Sequence, residues 1–254
     1  MIRVGLIGYG KAGRAVAEVL LNTPGVELRW VAKRSQTDAV EVVANSLVPV
    51  VSVGQMGAMG RLLAQLPVDA LVDFSGPSAV LEYGEEVRRR GLVLVSAVAQ
   101  YSPEQLEYLR SLGESSRVMV SSHITMGINF LMLASRLMRV LMPQAEVEIL
   151  EPHVKDRQDC QGAARKLAEV LNLAQARVTS LRLGGVVDHH EVIFGFPHQT
   201  LRLVHDTIRV EAFGTGAAYA LQSLWGMPPG FYQYDDVLMH RLQALLVAPE
   251  LCAA

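Results

Sequence analysis

Three glycines in six residues, Gly8-Tyr9-Gly10-Lys11-Ala12-Gly13, follow an apolar run, Ile2–Ile7, and open an amphipathic stretch, Lys11–Asn22. No other feature of the chain restricts its fold as strongly. The first glycine permits a tight turn, the second lets backbone approach a ligand, and the third lets helix and strand pack closely. Ala15, Val16, Val19 and Leu20 share one helix face, and a second apolar run, Val26–Ala32, follows. A strand–turn–helix–strand of this kind turns helix amides toward an anion. It predicts that residues 8–13 cradle a dinucleotide pyrophosphate. The second strand ends Lys33-Arg34-Ser35, where an NAD site usually places an acid for the ribose hydroxyls. Two cations and a hydroxyl suit a 2'-phosphate. The expected cofactor is therefore NADP(H), with NAD(H) as the alternative if Lys33 and Arg34 are simply exposed loop residues.

Apolar runs and helical periods continue to alternate beyond that point. Ala70–Phe74, Leu92–Val95 and Val118–Ser121 read as strands; Ser78–Arg90 and Pro103–Leu112 read as helices. Such alternation predicts an α/β fold with a parallel, doubly wound sheet covered on both faces. The stretch Ser46–Gly60 receives no assignment. The pattern changes near Gly127. Asn129–Leu141, Gly162–Leu171 and Ala212–Leu224 have helical character, while Glu146–Glu151, Val178–Leu183, His190–Phe194 and Leu201–His205 read as strands. These predict an α+β domain with an open mixed sheet. The expected division is a Rossmann domain over 1–123 and a substrate-binding and oligomerisation domain over 124–230. The segment 231–254 is expected to return to the first domain as a helix, Asp235–Leu246. Pro228-Pro229-Gly230 is expected as a turn closing the second domain.

Composition excludes several functions. A formal net charge of -2 over 254 residues gives no basic surface for nucleic acid or an anionic membrane. Arg88-Arg89-Arg90 closes a helix, where cations suit the macrodipole. Two cysteines, Cys160 and Cys252, form neither a disulfide framework nor metal-ligand spacing. His189 and His190 are strand neighbours that point to opposite faces and cannot easily share an ion, so no metal is expected. Met132, Met138 and Met142 are read as helix core. Apolar runs too short to span a bilayer, and a strand at the very N-terminus, lead to the expectation of a cytoplasmic protein without a membrane partner.

Several motifs together resemble the 4-hydroxy-tetrahydrodipicolinate reductase (dihydrodipicolinate reductase) family along nearly the whole chain. Ile7–Gly13 is similar to the family's opening, and Val72-Asp73-Phe74-Ser75-Gly76-Pro77 to its V-D-F-T-x-P segment. Met126-Gly127-Ile128-Asn129 resembles the helix start after A-P-N-x-S, and Glu148–His153 the I-x-E-x-H-H strand. Arg182-Leu183-Gly184-Gly185, His189, and His205 through Gly216-Ala217 follow the closing pattern. The resemblance implies a Rossmann domain, a tetramerising substrate domain, and hydride transfer from NAD(P)H to a cyclic C=N carbon in lysine and diaminopimelate biosynthesis. It also implies that Phe74, Ser75, Ser96 and Ala97 lie along the cofactor.

Departures cluster in the family's active-site loops. Its G-T-T-G is Ser96-Ala97-Val98-Ala99, and the Asn of its A-P-N-x-S is His123. His153 keeps the first histidine of its E-x-H-H pattern, and Val154 replaces the second. The family's lysine falls at Arg157 by direct count and at Lys155 if a gap intervenes. The Ser and Thr that flank the family's glycine have no counterparts beside Gly162, whose neighbour is Ala163. Arginine holds an anion but is a poor general acid. His153 is therefore the expected acid, because imidazole titrates near neutrality. Arg157 or Lys155 is expected to hold a substrate carboxylate, and His123, Gly162 and Ala163 to line the substrate. Three readings follow: a reductase of a cyclic imine, 4-hydroxy-tetrahydrodipicolinate first; a diverged imine or amino-acid dehydrogenase; and a non-catalytic NADPH-binding regulator.

Overall fold

The computed structural model describes residues 1–35, 41–43, 46–54, 57–153, 162–174, 177–184 and 188–247. Two compact units divide the chain, one of Met1–Ile124 with Phe213–Ala254 and one of Thr125–Ala212. The first unit begins β1 (Ile2–Ile7), α1 (Lys11–Leu21), β2 (Val26–Lys33), β3 (Glu41–Val42), β4 (Pro49–Ser52) and α2 (Ala58–Gln65). It continues β5 (Ala70–Asp73), α3 (Val80–Arg90), β6 (Val93–Ser96), α4 (Pro103–Leu112) and β7 (Arg117–Val120). Strand order is β7-β6-β5-β1-β2-β4-β3, parallel except for β3 against β4. Side chains of both parities are buried. Trp30, Leu71, Leu94 and Val118 join the core under α2, α3 and α4, while Leu6, Val31, Val72, Val95 and Met119 are buried as well. A parallel sheet covered on both faces needs such continuous apolar runs, as the sequence predicted. The unassigned Ser46–Gly60 supplies β4 and the start of α2. Four residues opening on a proline left too little periodicity to read.

Local chemistry sets the helix ends. Ser102 Oγ accepts from the Gln105 amide while Gln105 Oε1 accepts from the Ser102 amide, a capping box with Pro103 in the first turn. Helix α3 closes at Gly91 with φ +62°, and Arg89 and Arg90 there each meet Glu86 at 2.7 Å.

The second unit contains α5 (Met126–Leu141), β8 (Glu146–His153), α6 (Gly162–Leu171), β9 (Val178–Arg182), β10 (His189–Phe196) and β11 (Gln199–Asp206). Its sheet runs β11-β10-β8-β9, with β8 and β9 parallel and the other pairs antiparallel. Ile149 and Val192 pack with Ile128 and Met132 of α5 and Leu167 of α6. This is the open mixed sheet on helices that the sequence predicted.

The chain returns to the first unit through α7 (Ala212–Trp225), β12 (Gly230–Tyr232) and α8 (Tyr234–Val247). Two expectations change here. Helix α7, expected in the second domain, groups with the first unit. A Cβ on its Gly214 would meet Val19 of α1 at 2.6 Å, so the two helices pack almost backbone to side chain. The last residue of the expected turn, Gly230, opens an unexpected strand, β12, which adds to β7 with Gly230 opposite Arg117 and becomes the edge of the large sheet. Three residues after two prolines carry no strand signal until that edge is present. Among the described residues, no helix is long and apolar enough to cross a membrane.

Candidate active site

A cleft of about 450 Å³ opens in the first unit where β1, β2 and β5 end. The three glycines around it have three distinct reasons to be glycine. Gly8 sits at φ +98°, and a Cβ there would lie 2.5 Å from the Phe74 carbonyl oxygen. A Cβ on Gly13 would lie 2.1 Å from the Gly8 carbonyl oxygen. Gly10 faces open space, with nothing within 4 Å of a built Cβ. Helix α1 starts beside it with no side-chain cap and no acid in its first turn. Uncapped amides and an unobstructed approach are what a pyrophosphate requires, so the residues fit a dinucleotide.

Gly8, Tyr9, Gly10, Lys33, Arg34, Ser35, Phe74 and Ser75 all line the cleft. Lys11 is exposed, and Ala12 and Gly13 belong to the start of α1; none of the three lines the cleft. Ser96 is fully buried; its Oγ lies 2.8 Å from Tyr101 Oη, so its hydroxyl serves an internal network and not the cleft. The amide of Ala97 donates to the Asp73 carbonyl at 2.9 Å.

Three contributors escaped the sequence reading. Arg14 lines the cleft from the first turns of α1, its guanidinium 4.2 Å above the Tyr9 ring. Its place directly after the third glycine was the available signal. Glu41 of β3 pairs with both Lys33 and Arg14, the latter at 3.3 Å. Nothing local in the sequence announces a contact spanning 27 residues. Asp73 is the third. Its carboxylate accepts from the Ser75 amide at 2.8 Å, from Ser75 Oγ at 2.5 Å and from Tyr83 Oη at 2.5 Å. Burial pushes the Asp73 carboxyl up, against the pull of those hydrogen bonds. Tyr101, partly buried near the same carboxylate, is pushed up to about 12 by its loss of solvent. The network fixes the Phe74–Ser75 turn from beneath.

In the second unit, strand register assembles an acid–histidine row on one sheet face. His190 pairs with His205 across β10 and β11, and Glu151 with Ser180 across β8 and β9. His153 Nε2 donates to Glu151 Oε1 at 2.8 Å, and Ser180 Oγ donates to Glu151 Oε2 at 3.0 Å. Asp188 Oδ1 lies 3.4 Å from His153 Nδ1, and His190 Nε2 lies 3.8 Å from Glu151 Oε1. Glu151 and His153 are each 1% exposed. His189 turns to the other face and meets Asp206 at 2.7 Å. Burial pulls the His205 imidazole below its usual range, opposed by Asp188 and Asp206. A Cβ on Gly127 would lie 2.4 Å from His205 Cδ2, which explains the glycine at the start of α5.

The donor atoms of Glu151, His153 and His190 lie within 4.8 Å of one another, a grouping that the sequence did not bring together. The 2.8 Å His153–Glu151 contact is a hydrogen bond, shorter than the roughly 3.3 Å between ligands on a tetrahedral zinc ion. His123 follows β7, with Ser122 Oγ 3.1 Å from its Nδ1. Gly162 is exposed at the first position of α6, while the methyl of Ala163 is buried in the unit's core. Lys155, Arg157 and Cys160 lie outside the described residues.

A nucleotide-binding sheet with a phosphate cradle, continued in one chain by a small sheet bearing a buried acid–histidine row, defines a nicotinamide-dependent oxidoreductase. The comparisons with known proteins agree. The family model for the dihydrodipicolinate reductase N-terminus matches residues 2–124, and that for its C-terminus matches residues 127–238. The chain belongs to the dihydrodipicolinate reductase family, as the resemblance implied. The 4-hydroxy-tetrahydrodipicolinate reductase of Myxococcus xanthus is 27% identical, over 94% of this chain and 98% of its own length. Dipicolinate-bound dihydrodipicolinate reductase from Paenisporosarcina sp. TG-14 superposes with a TM-score of 0.79 at 22% identity, covering 92% and 97% of the two chains. An amine dehydrogenase from Mycobacterium smegmatis shares the fold, with a TM-score of 0.65 at 15% identity over 92% and 95%.

Proposed function

We propose that the chain transfers hydride to a cyclic C=N substrate, 4-hydroxy-tetrahydrodipicolinate, which loses its hydroxyl as water to form the conjugated imine that takes up the hydride and a proton, in the lysine and diaminopimelate route. When bound, NADPH supplies the hydride; NADH is the alternative donor. Gly8, Gly10 and the α1 amides hold the pyrophosphate, and Lys33, Arg34 and Ser35 the 2'-phosphate. The carrying observation is the buried His153–Glu151 pair. Glu151 accepts from Nε2 and Asp188 lies 3.4 Å from Nδ1, so two carboxylates flank the imidazole that supplies the proton to the substrate nitrogen. Arg157 or Lys155 holds a substrate carboxylate, with His123, Gly162 and the Ala163 amide completing the substrate contacts. Dipicolinate, held by the Paenisporosarcina relative, is a cyclic dicarboxylate of the same kind.

The outer face of the second sheet supports a homotetramer. Val204 and Leu181 on its strands are 52% and 38% exposed, and an uncovered sheet face of this type favours a partner. The pathway and the absence of a membrane-spanning helix among the described residues fit a cytoplasmic enzyme.

An NADPH-oxidation assay with freshly generated 4-hydroxy-tetrahydrodipicolinate, beside a panel of cyclic and linear imines, tests the reading. His153→Gln lowers kcat by about a hundred- to ten-thousand-fold and leaves NADPH affinity nearly unchanged. Unchanged turnover removes the histidine from the mechanism. Arg157 in place of the lysine, and the missing hydroxyls beside Gly162, favour a second reading, a dehydrogenase of another imine or amino acid. Activity confined to other members of the panel selects it.

A further inference from the structure

Glu41 sits where the cofactor pocket's charge is decided. Three cations, Arg14, Lys33 and Arg34, line the cleft. Glu41 of β3, beside the cleft, pairs with two of them, Lys33 and, at 3.3 Å, Arg14. The Lys33 side chain is 15% exposed and that of Glu41 26%, so the pair is partly shielded from solvent. Lys33 holds the Glu41 carboxyl below its usual range. A 2'-phosphate brings up to two negative charges to these same cations. It must displace Glu41 from them or lie beside a like charge. A ribose that keeps its 2'-hydroxyl instead finds an acceptor. An acid at the end of the second strand usually fills that place in NAD sites, and here the second strand ends in Lys33.

We propose that Glu41 is the specificity-determining residue of this pocket: it accepts from the ribose hydroxyls of NADH and competes with the 2'-phosphate of NADPH for Lys33 and Arg14. This rests on the reading that the cleft holds a nicotinamide dinucleotide with its adenosine ribose at the end of β2. Specificity is a difference between two affinities, and Glu41 acts on both with opposite sign. The pocket thereby accepts either dinucleotide, and its preference hangs on one carboxylate.

The test is calorimetric titration of NADPH and of NADH into the parent protein, Glu41→Gln, Lys33→Ala and the double variant. Glu41→Gln raises the NADPH-to-NADH affinity ratio by about tenfold to a hundredfold, the worth of a hydrogen bond to a charged group. In the Lys33→Ala background the same substitution raises it less, because one of the two cations that Glu41 competes for is gone, while Arg14 and the ribose hydroxyls remain. Both affinities come from one preparation, so a partly inactive variant leaves the ratio intact. A ratio that Glu41→Gln leaves unchanged overturns the proposal, as does a rise that Lys33→Ala does not diminish. A parent protein that binds neither dinucleotide overturns the cofactor reading itself, and this inference with it.

Discussion

Gly10→Ala and Gly13→Ala, two substitutions three residues apart, separate ligand approach from packing in the glycine turn. At Gly13 the new Cβ would lie 2.1 Å from the Gly8 carbonyl oxygen, so backbone must move by over an ångström. Overpacking of this kind costs about 1–3 kcal/mol. Both contacting groups belong to or spring directly from backbone, which places the cost near the upper end. Alanine's better helix propensity offsets about 1 kcal/mol. A net loss of about 2 kcal/mol lowers Tm by roughly 4–8 °C for a chain of this size. At Gly10 the Cβ meets nothing within 4 Å, and φ is -77°, a value alanine adopts freely. The loss of a preferred helix-capping residue is offset by reduced unfolded-state entropy, and Tm stays within about 2 °C. The Cβ of Gly10→Ala, however, protrudes where the pyrophosphate must approach. NADPH affinity falls at least about tenfold, equivalent to 1.4 kcal/mol. Thermal melts and NADPH fluorescence titrations on both variants check this. The reasoning is refuted if Gly10→Ala binds NADPH as tightly as the parent, or if Gly13→Ala melts at the parent temperature.

Two further outcomes are expected. The His205 imidazole is held below its usual range by burial, so the unfolded chain binds the extra proton first as pH falls. Stability from this group is full above about pH 6.5 and declines as pH drops toward the depressed folded value. Denaturant melts between pH 5 and 7 will show that slope flattened in His205→Gln; an unchanged slope assigns it to other groups. Light scattering at micromolar concentration is expected to return a tetramer, and Val204→Lys, on the outer face of the second sheet, to shift it toward smaller species. A stable monomer of the parent protein refutes the assembly.

Sequence by itself determined the elements whose signals are local. The glycine turn was legible because each glycine answers to atoms within a strand–turn–helix, and the structure gives Gly8, Gly10 and Gly13 separate steric reasons. Helices Pro103–Leu112 and Gly162–Leu171 stand with the boundaries read from periodicity. Strand residues Leu71, Leu94 and Val118 announced burial by their continuous apolar runs. Tertiary structure alone decided what crosses between elements. Gly214 draws α7 onto α1, β12 becomes a strand only when β7 offers its edge, and Glu41 meets Lys33 and Arg14 only once β3 has joined β4. The acid–histidine row is of the same kind: Glu151 and His153 stand two residues apart on β8, and sheet register brings His190 of β10 and the bridging Asp188 beside them. Periodicity and turn sterics act over a few residues and are written in order along the chain. Register, edge pairing and charge contacts depend on which strands become neighbours, and that is settled by the burial of the whole core.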